Sequence, residues 1–137
     1  MSEAAVKTVR KPRPKYLNLQ ALIFEIRLPL PGWISILHRI SGALLFFPFA
    51  AWLLFMLDAS LASEQGFARV REYLHLPLVK AGLLLFIWSY CHHFCAGIRF
   101  LFIDLDRGVD LRTARLTSGV VLIAGLALTA FFGARLW

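Results

Sequence analysis

The sequence predicts an all-α membrane protein with three transmembrane helices, its N-terminus cytoplasmic and its C-terminus periplasmic. Three observations carry this reading. Hydrophobic residues make up 59% of the 137-residue chain, more than an ordinary soluble domain holds. Three apolar runs, residues 33–57, 78–103 and 116–137, each reach the roughly 20 residues of helix that cross a hydrocarbon core. Lysine and arginine, finally, gather on one side of those runs. Lys7, Arg10, Lys11, Arg13, Lys15 and Arg27 precede the first, and Arg107, Arg112 and Arg115 lie between the second and third. The connection between the first two holds Arg69 and Arg71, offset by Asp58, Glu64 and Glu72, with Lys80 at the start of the next helix. The positive-inside rule then places the N-terminus in the cytoplasm. The runs are continuously apolar, which argues against the alternating strands of a β-barrel. The net charge of +7 is explained by these flanks, and without a basic face or recognition motif it points to no nucleic-acid partner.

In chain order, residues 1–32 read as a cytoplasmic basic arm with an interfacial lead-in, and residues 33–137 as the transmembrane domain. Pro12 and Pro14 favour an extended arm, which is expected to orient the chain or to dock a cytoplasmic partner. About 30 basic, Pro-containing residues before the first apolar run argue against a cleavable signal. Pro29, Pro31 and Gly32 punctuate the approach to the membrane, and Trp33 suits the headgroup level. Pro48 removes a hydrogen bond to the Leu44 carbonyl and is expected to bend the first span, widening space beside the bundle. Phe67, Val70 and Leu74, spaced by three and four, predict a short amphipathic helix at the outer surface. In the third span Gly125, Thr129 and Gly133 recur at four-residue steps, a pattern for close helix packing.

The second span holds Ser89, Tyr90, Cys91, His92, His93, Gly97 and Arg99, an unusually polar half for lipid. Cys91 and Cys95 are one turn apart, too strained a placement for a disulfide; metal binding with the histidines and plain packing are both open readings. In the first span Ser35, His38 and Arg39 fall on neighbouring positions of one helical face, and ionisable groups inside a membrane mark functional sites by default. At 1.5 Å per residue, His38, Arg39 and Arg99 lie roughly 8 Å below the cytoplasmic edge and His93 roughly 16 Å, near the bilayer centre. His93 reads either as an interior histidine bonded to a carbonyl or as a metal ligand. Haem has a matching shape: iron for a neutral imidazole, an apolar ring, and carboxylates for the cations above. His92 and His93 point about 100° apart, so only one can face such a pocket. Gly97, one turn from His93, favours His93, and Gly42 stands in the same relation to His38.

At these residues the chain resembles the cytochrome b556 (large) membrane-anchor subunits of succinate dehydrogenase, respiratory complex II. Arg13-Pro14 with Leu17-Asn-Leu-Gln20 is similar to the family's N-terminal motif, Ser35-Ile-Leu-His-Arg-Ile-Ser-Gly42 to its S-x-x-H-R-x-[ST]-G signature, and His93-Phe-Cys-Ala-Gly-Ile-Arg99 with Asp104 to H-x-x-x-G-I-R…D. The resemblance implies that Ser35 and Arg39 help form a ubiquinone site, that His93 is an axial ligand of haem b, and that His38, Arg39 and Arg99 lie near the haem propionates. It further implies a second axial histidine from a small anchor subunit, electron delivery from an iron-sulfur subunit fed by a flavoprotein, and a bacterial inner-membrane location. Phe100 departs from the pattern, standing where many members carry histidine. The competing expectation is a haem-free structural anchor of the fumarate reductase type. A transporter would want polar residues through the whole membrane, and the outer half of each span is nearly all apolar.

Overall fold

The computed structural model describes residue 20 and residues 28–136. The basic arm, its Arg13-Pro14 motif, the rest of the lead-in and Trp137 lie outside the described residues. Among those described, every regular element is helical. The first helix, α1 (Leu30–Leu44), continues through one π turn (Leu45–Phe49) into α2 (Ala50–Ala62); α3 (Glu64–His75), α4 (Pro77–Asp104) and α5 (Leu111–Gly133) follow, and α5 runs into a 3₁₀ turn (Ala134–Leu136). Three helices are long and apolar enough to cross a membrane, Leu30–Ala62, Pro77–Asp104 and Leu111–Leu136, and the chain is a multi-pass membrane protein.

Pro48 acts where the sequence places it. Lacking an N–H, it cannot donate to the Leu44 carbonyl, and the chain accommodates the ring by widening one turn: the Ala50 N–H donates to the Leu45 carbonyl, a five-residue step. The helix runs on through the disturbance to Ala62, five residues past the expected end, because no breaker intervenes. Beside the widened turn lies an apolar cleft of about 400 Å³ lined by Pro48, Phe49, Trp52 and Leu76 among others. The short surface helix is present as α3. Ser63 caps it, its hydroxyl accepting from the Gly66 N–H at 3.0 Å, while Val70 and Leu74 turn inward and Phe67 stays 60% exposed.

The interior is small and polar while the large side chains face outward, as expected where lipid, not water, bathes the surface. Ser41, Ser89, His92, Arg99, Ser118 and Thr129 are buried; Phe46, Phe47, Leu54, Phe55 and Ile123 are exposed. The helix α4 packs chiefly on α5 and then on α1. Gly125 permits the first contact: a Cβ there would stand 3.4 Å from His92 Cα.

Between α4 and α5 the chain turns tightly. The Arg107 N–H donates to the Phe102 carbonyl and the Asp106 N–H to that of Ile103, both at 2.9 Å, which closes a Schellman motif with Asp106 in the left-handed region at φ 55°. Asp110 then caps α5, its Oδ1 accepting from the Thr113 N–H at 2.9 Å. That cap starts the helix at Leu111, five residues before the apolar run, and carries Arg112 and Arg115 on exposed turns. Hydrogen bonds from the Thr113 side chain and backbone hold the Asp110 carboxyl below its usual range. A depressed folded value means that the cap contributes above the ordinary carboxylate pKa and is lost as pH falls through the lowered one. Protection of the Thr113 amide from hydrogen exchange is expected to fall with acid in that window, and to stay level in Asp110→Asn, which keeps the acceptor without the titration.

Candidate functional site

The site forms where α1 and α4 cross. His38 on α1 and His93 on α4 stack face to face, ring centroids 4.1 Å apart and planes 14° from parallel. The same two residues are joined through the backbone: His93 Nδ1–H donates to the His38 carbonyl oxygen at 3.0 Å. Because a carbonyl only accepts, this bond places the proton on Nδ1 and leaves the lone pair on Nε2. Ser41, fully buried, supports the arrangement. Its hydroxyl donates to the same carbonyl at 2.9 Å and sets its oxygen 3.4 Å from His93 Nδ1.

Gly42 makes room for this. A Cβ at that position would stand 2.8 Å from His93 Cε1 and 3.1 Å from Nδ1, inside van der Waals contact. Gly97 faces His38 in turn, with His38 Nε2 at 3.7 Å from where its Cβ would be. Each glycine therefore serves the histidine of the opposite helix, whereas the sequence reading paired it with the histidine of its own. His38 is further enclosed by Phe100 at 4.9 Å between ring centroids, and its Nε2 is buried without a hydrogen bond.

His92 goes elsewhere. At 1% exposure it lies inside the bundle, stacked on Trp88 at 5.5 Å and packed against Gly125. A ligand approaching from outside the chain reaches His93 and not His92.

Ser35 and Arg39 keep the placement their spacing predicts on α1. Ser35 is half-buried and Arg39 exposed, and neither makes a hydrogen bond or ion pair among the described residues. Arg99 has a different neighbourhood from the other cations. Only 7% exposed, it turns toward α5, where Nε donates to Thr117 Oγ1 at 3.0 Å and Nη2 to the Ala114 carbonyl at 3.4 Å. Sequence reasoning missed Ser41 as a working residue, although it occupies the [ST] position of the S-x-x-H-R-x-[ST]-G pattern. Thr117 carried no signal at all. Among the described residues no three His, Cys, Asp or Glu side chains converge on a point, so the donor set does not form a cage for a bare metal ion.

The donor set suits a group that brings its own ligands and needs one imidazole from this chain. His93 offers a single oriented nitrogen, Nε2, and Gly42 is a cradle that any Cβ would fill. Fold and site together define a three-span helical membrane subunit that presents one oriented histidine, with a serine and an arginine a turn or two away on the neighbouring helix. The chain belongs to the succinate dehydrogenase/fumarate reductase transmembrane subunit family, whose profile matches residues 9–132. It is similar to proteins named succinate dehydrogenase cytochrome b556 subunit. That of Paracoccus denitrificans is 31% identical over 115 residues, covering 77% of this chain and 85% of the relative. That of Rickettsia prowazekii is 30% identical over 99 residues, 70% and 73% of the two chains, and that of Coxiella burnetii 27% identical over 126, 91% and 97%.

Proposed function

We propose that this chain is the large membrane-anchor subunit of a succinate:quinone oxidoreductase of the bacterial inner membrane, sharing haem b with a second anchor subunit and forming part of a ubiquinone-reduction site. The observation that carries the haem assignment is the hydrogen bond from His93 Nδ1 to the His38 carbonyl. Ligating histidines are oriented by just such a bond on the other ring nitrogen, which fixes the tautomer and raises ligand basicity. His93 Nε2 would bind the iron. Arg39, exposed and without an ion pair, would meet the haem carboxylates, with His38 beside it. Haem supplies a one-electron store when bound.

The quinone role falls to α1. Ser35 Oγ can donate a hydrogen bond to a quinone carbonyl, and the Arg39 guanidinium can stabilise the negative charge that grows on that oxygen during reduction. The two protons that quinone reduction consumes are assigned to groups on partner subunits. The N-terminus lies in the cytoplasm on this reading, which puts the quinone site on the side where an iron-sulfur subunit, fed by the flavoprotein, delivers electrons.

Activity of the purified complex tests the quinone assignment. Arg39→Leu is expected to lower quinone reduction about 10- to 100-fold, the loss of a hydrogen bond to a charged group, and Ser35→Ala several-fold. Succinate oxidation with an artificial acceptor stays near wild type in both. Unchanged quinone turnover in both variants would move the site elsewhere. A reduced-minus-oxidised spectrum of the same preparation separates this reading from that of a haem-free anchor, which shows no b-type bands.

A further inference from the structure

A second polar site lies between α4 and α5, facing away from the paired histidines. It is a cleft of about 240 Å³ lined by Ile98, Arg99, Phe102, Arg107, Thr117 and Val120 among others. Two of these are cations. Arg99 is almost wholly buried, and no carboxylate among the described residues pairs with it; it meets the Thr117 hydroxyl, the Ala114 carbonyl and, at 5.6 Å, the Phe100 ring, none of which is an anion. Arg107 is carried into the lining by the tight turn, its N–H bound to the Phe102 carbonyl, with Asp106 and Gly108 both at positive φ. Asp104, Asp106 and Asp110 belong to the same connection, yet none of them lines the cleft.

The remaining walls are apolar and open outward. Ile98, Phe102 and Val120 are 42%, 56% and 64% exposed on spans whose surroundings are hydrocarbon. The cleft thus joins a cationic pocket near the end of two spans to apolar helix surface running toward the membrane interior. That is the shape of a lipid: a charged head at the boundary and chains below it. A buried, unneutralised guanidinium is costly in such a place, and a phosphate oxygen would offset it through charge-assisted hydrogen bonds.

We propose that this cleft binds the phosphate of an anionic phospholipid from the leaflet on the side of the α4–α5 connection, Arg99 and Arg107 holding the head group and the acyl chains lying along Ile98 and Val120. None of Ser35, His38, Arg39 and His93 lines the cleft; Arg99, which the family resemblance groups with the haem propionates, is turned toward α5 and into the lining of this cleft.

The test uses the intact complex, washed exhaustively in mild detergent and analysed for retained lipid by mass spectrometry. Wild type is expected to retain phosphatidylglycerol, and Arg107→Gln about fivefold less, the contribution of one juxtamembrane cation. Arg107→Lys restores retention, and Val120→Trp, which fills the cleft without altering charge, lowers it. The melting temperature supplies a second reading: vesicles of phosphatidylcholine with added phosphatidylglycerol raise it over phosphatidylcholine alone for wild type and less for Arg107→Gln. Equal retention in wild type, Arg107→Gln and Val120→Trp overturns the proposal. So does a drop in haem content or loss of a partner subunit with lipid unchanged, since the cleft would then hold a haem carboxylate or a partner's acidic residue.

Discussion

His93→Ala is expected to abolish the b-type signal in the reduced-minus-oxidised spectrum of the complex, or to cut haem content about tenfold or more. The magnitude follows from the bond removed. An axial nitrogen is a direct ligand, and even the groups that only orient such ligands are worth about 10- to 100-fold in metal affinity. His92→Ala is the discriminating control. That ring is 1% exposed within the bundle, so its loss lowers stability through the void it leaves while the spectrum keeps its position. An unaltered spectrum in His93→Ala would remove the haem assignment and favour a purely structural anchor.

Gly42→Ala is expected to disturb haem nearly as much, without touching any ligand atom. The added methyl would stand 2.8 Å from His93 Cε1, and the ring cannot simply yield because its Nδ1 is tied to the His38 carbonyl. Either the imidazole turns and gives up that bond, or α1 and α4 separate. Both outcomes re-aim Nε2. The visible bands and the midpoint potential of the haem should shift, and haem occupancy should fall about tenfold, the range seen when orienting groups are lost. Ser41→Ala makes a graded comparison. It removes the 3.4 Å contact with His93 Nδ1 and the hydroxyl's own 2.9 Å bond to the His38 carbonyl but leaves the 3.0 Å bond from His93 and adds no atom against the ring, so its shift should be smaller. If Gly42→Ala gave wild-type bands and potential, the cradle would play no part in ligand placement.

These two variants also mark what could and could not be read from the sequence. Hydropathy located all three spans, and Pro48 located the irregular turn. It did not show that the helix carries on through that turn to Ala62, because accommodation by a π widening depends on what packs beside it. The start of α5 was hidden for another reason. Arg112 and Arg115 depress hydropathy at residues that are nonetheless helical, and the signal present, Asp110 three residues before Thr113, is a cap and not an apolar run.

At the site, residue types and their helical faces were legible, including the preference for His93 over His92. The register between helices was not. Which glycine faces which histidine is fixed by how α1 and α4 slide against one another, and periodicity within one helix carries no information on that. Arg99 illustrates the same limit. Its spacing grouped it with the other cations by depth, while the rotation of α4 sends it to Thr117 on the far side.

The tether on His93 ends on a main-chain oxygen. Every amino acid at position 38 carries that oxygen, so no substitution there deletes the acceptor, and a mutational scan of His38 reports only on its ring. The orientation of the ligand is thereby shielded from point mutation at the residue that provides it. Genetic vulnerability is displaced to Ser41 and Gly42, whose side chains, one small and one absent, decide whether α4 can come close enough to reach the carbonyl. Substitution at position 38 should therefore register through whatever the ring itself does, whereas substitution at 41 or 42 should register through the aim of His93.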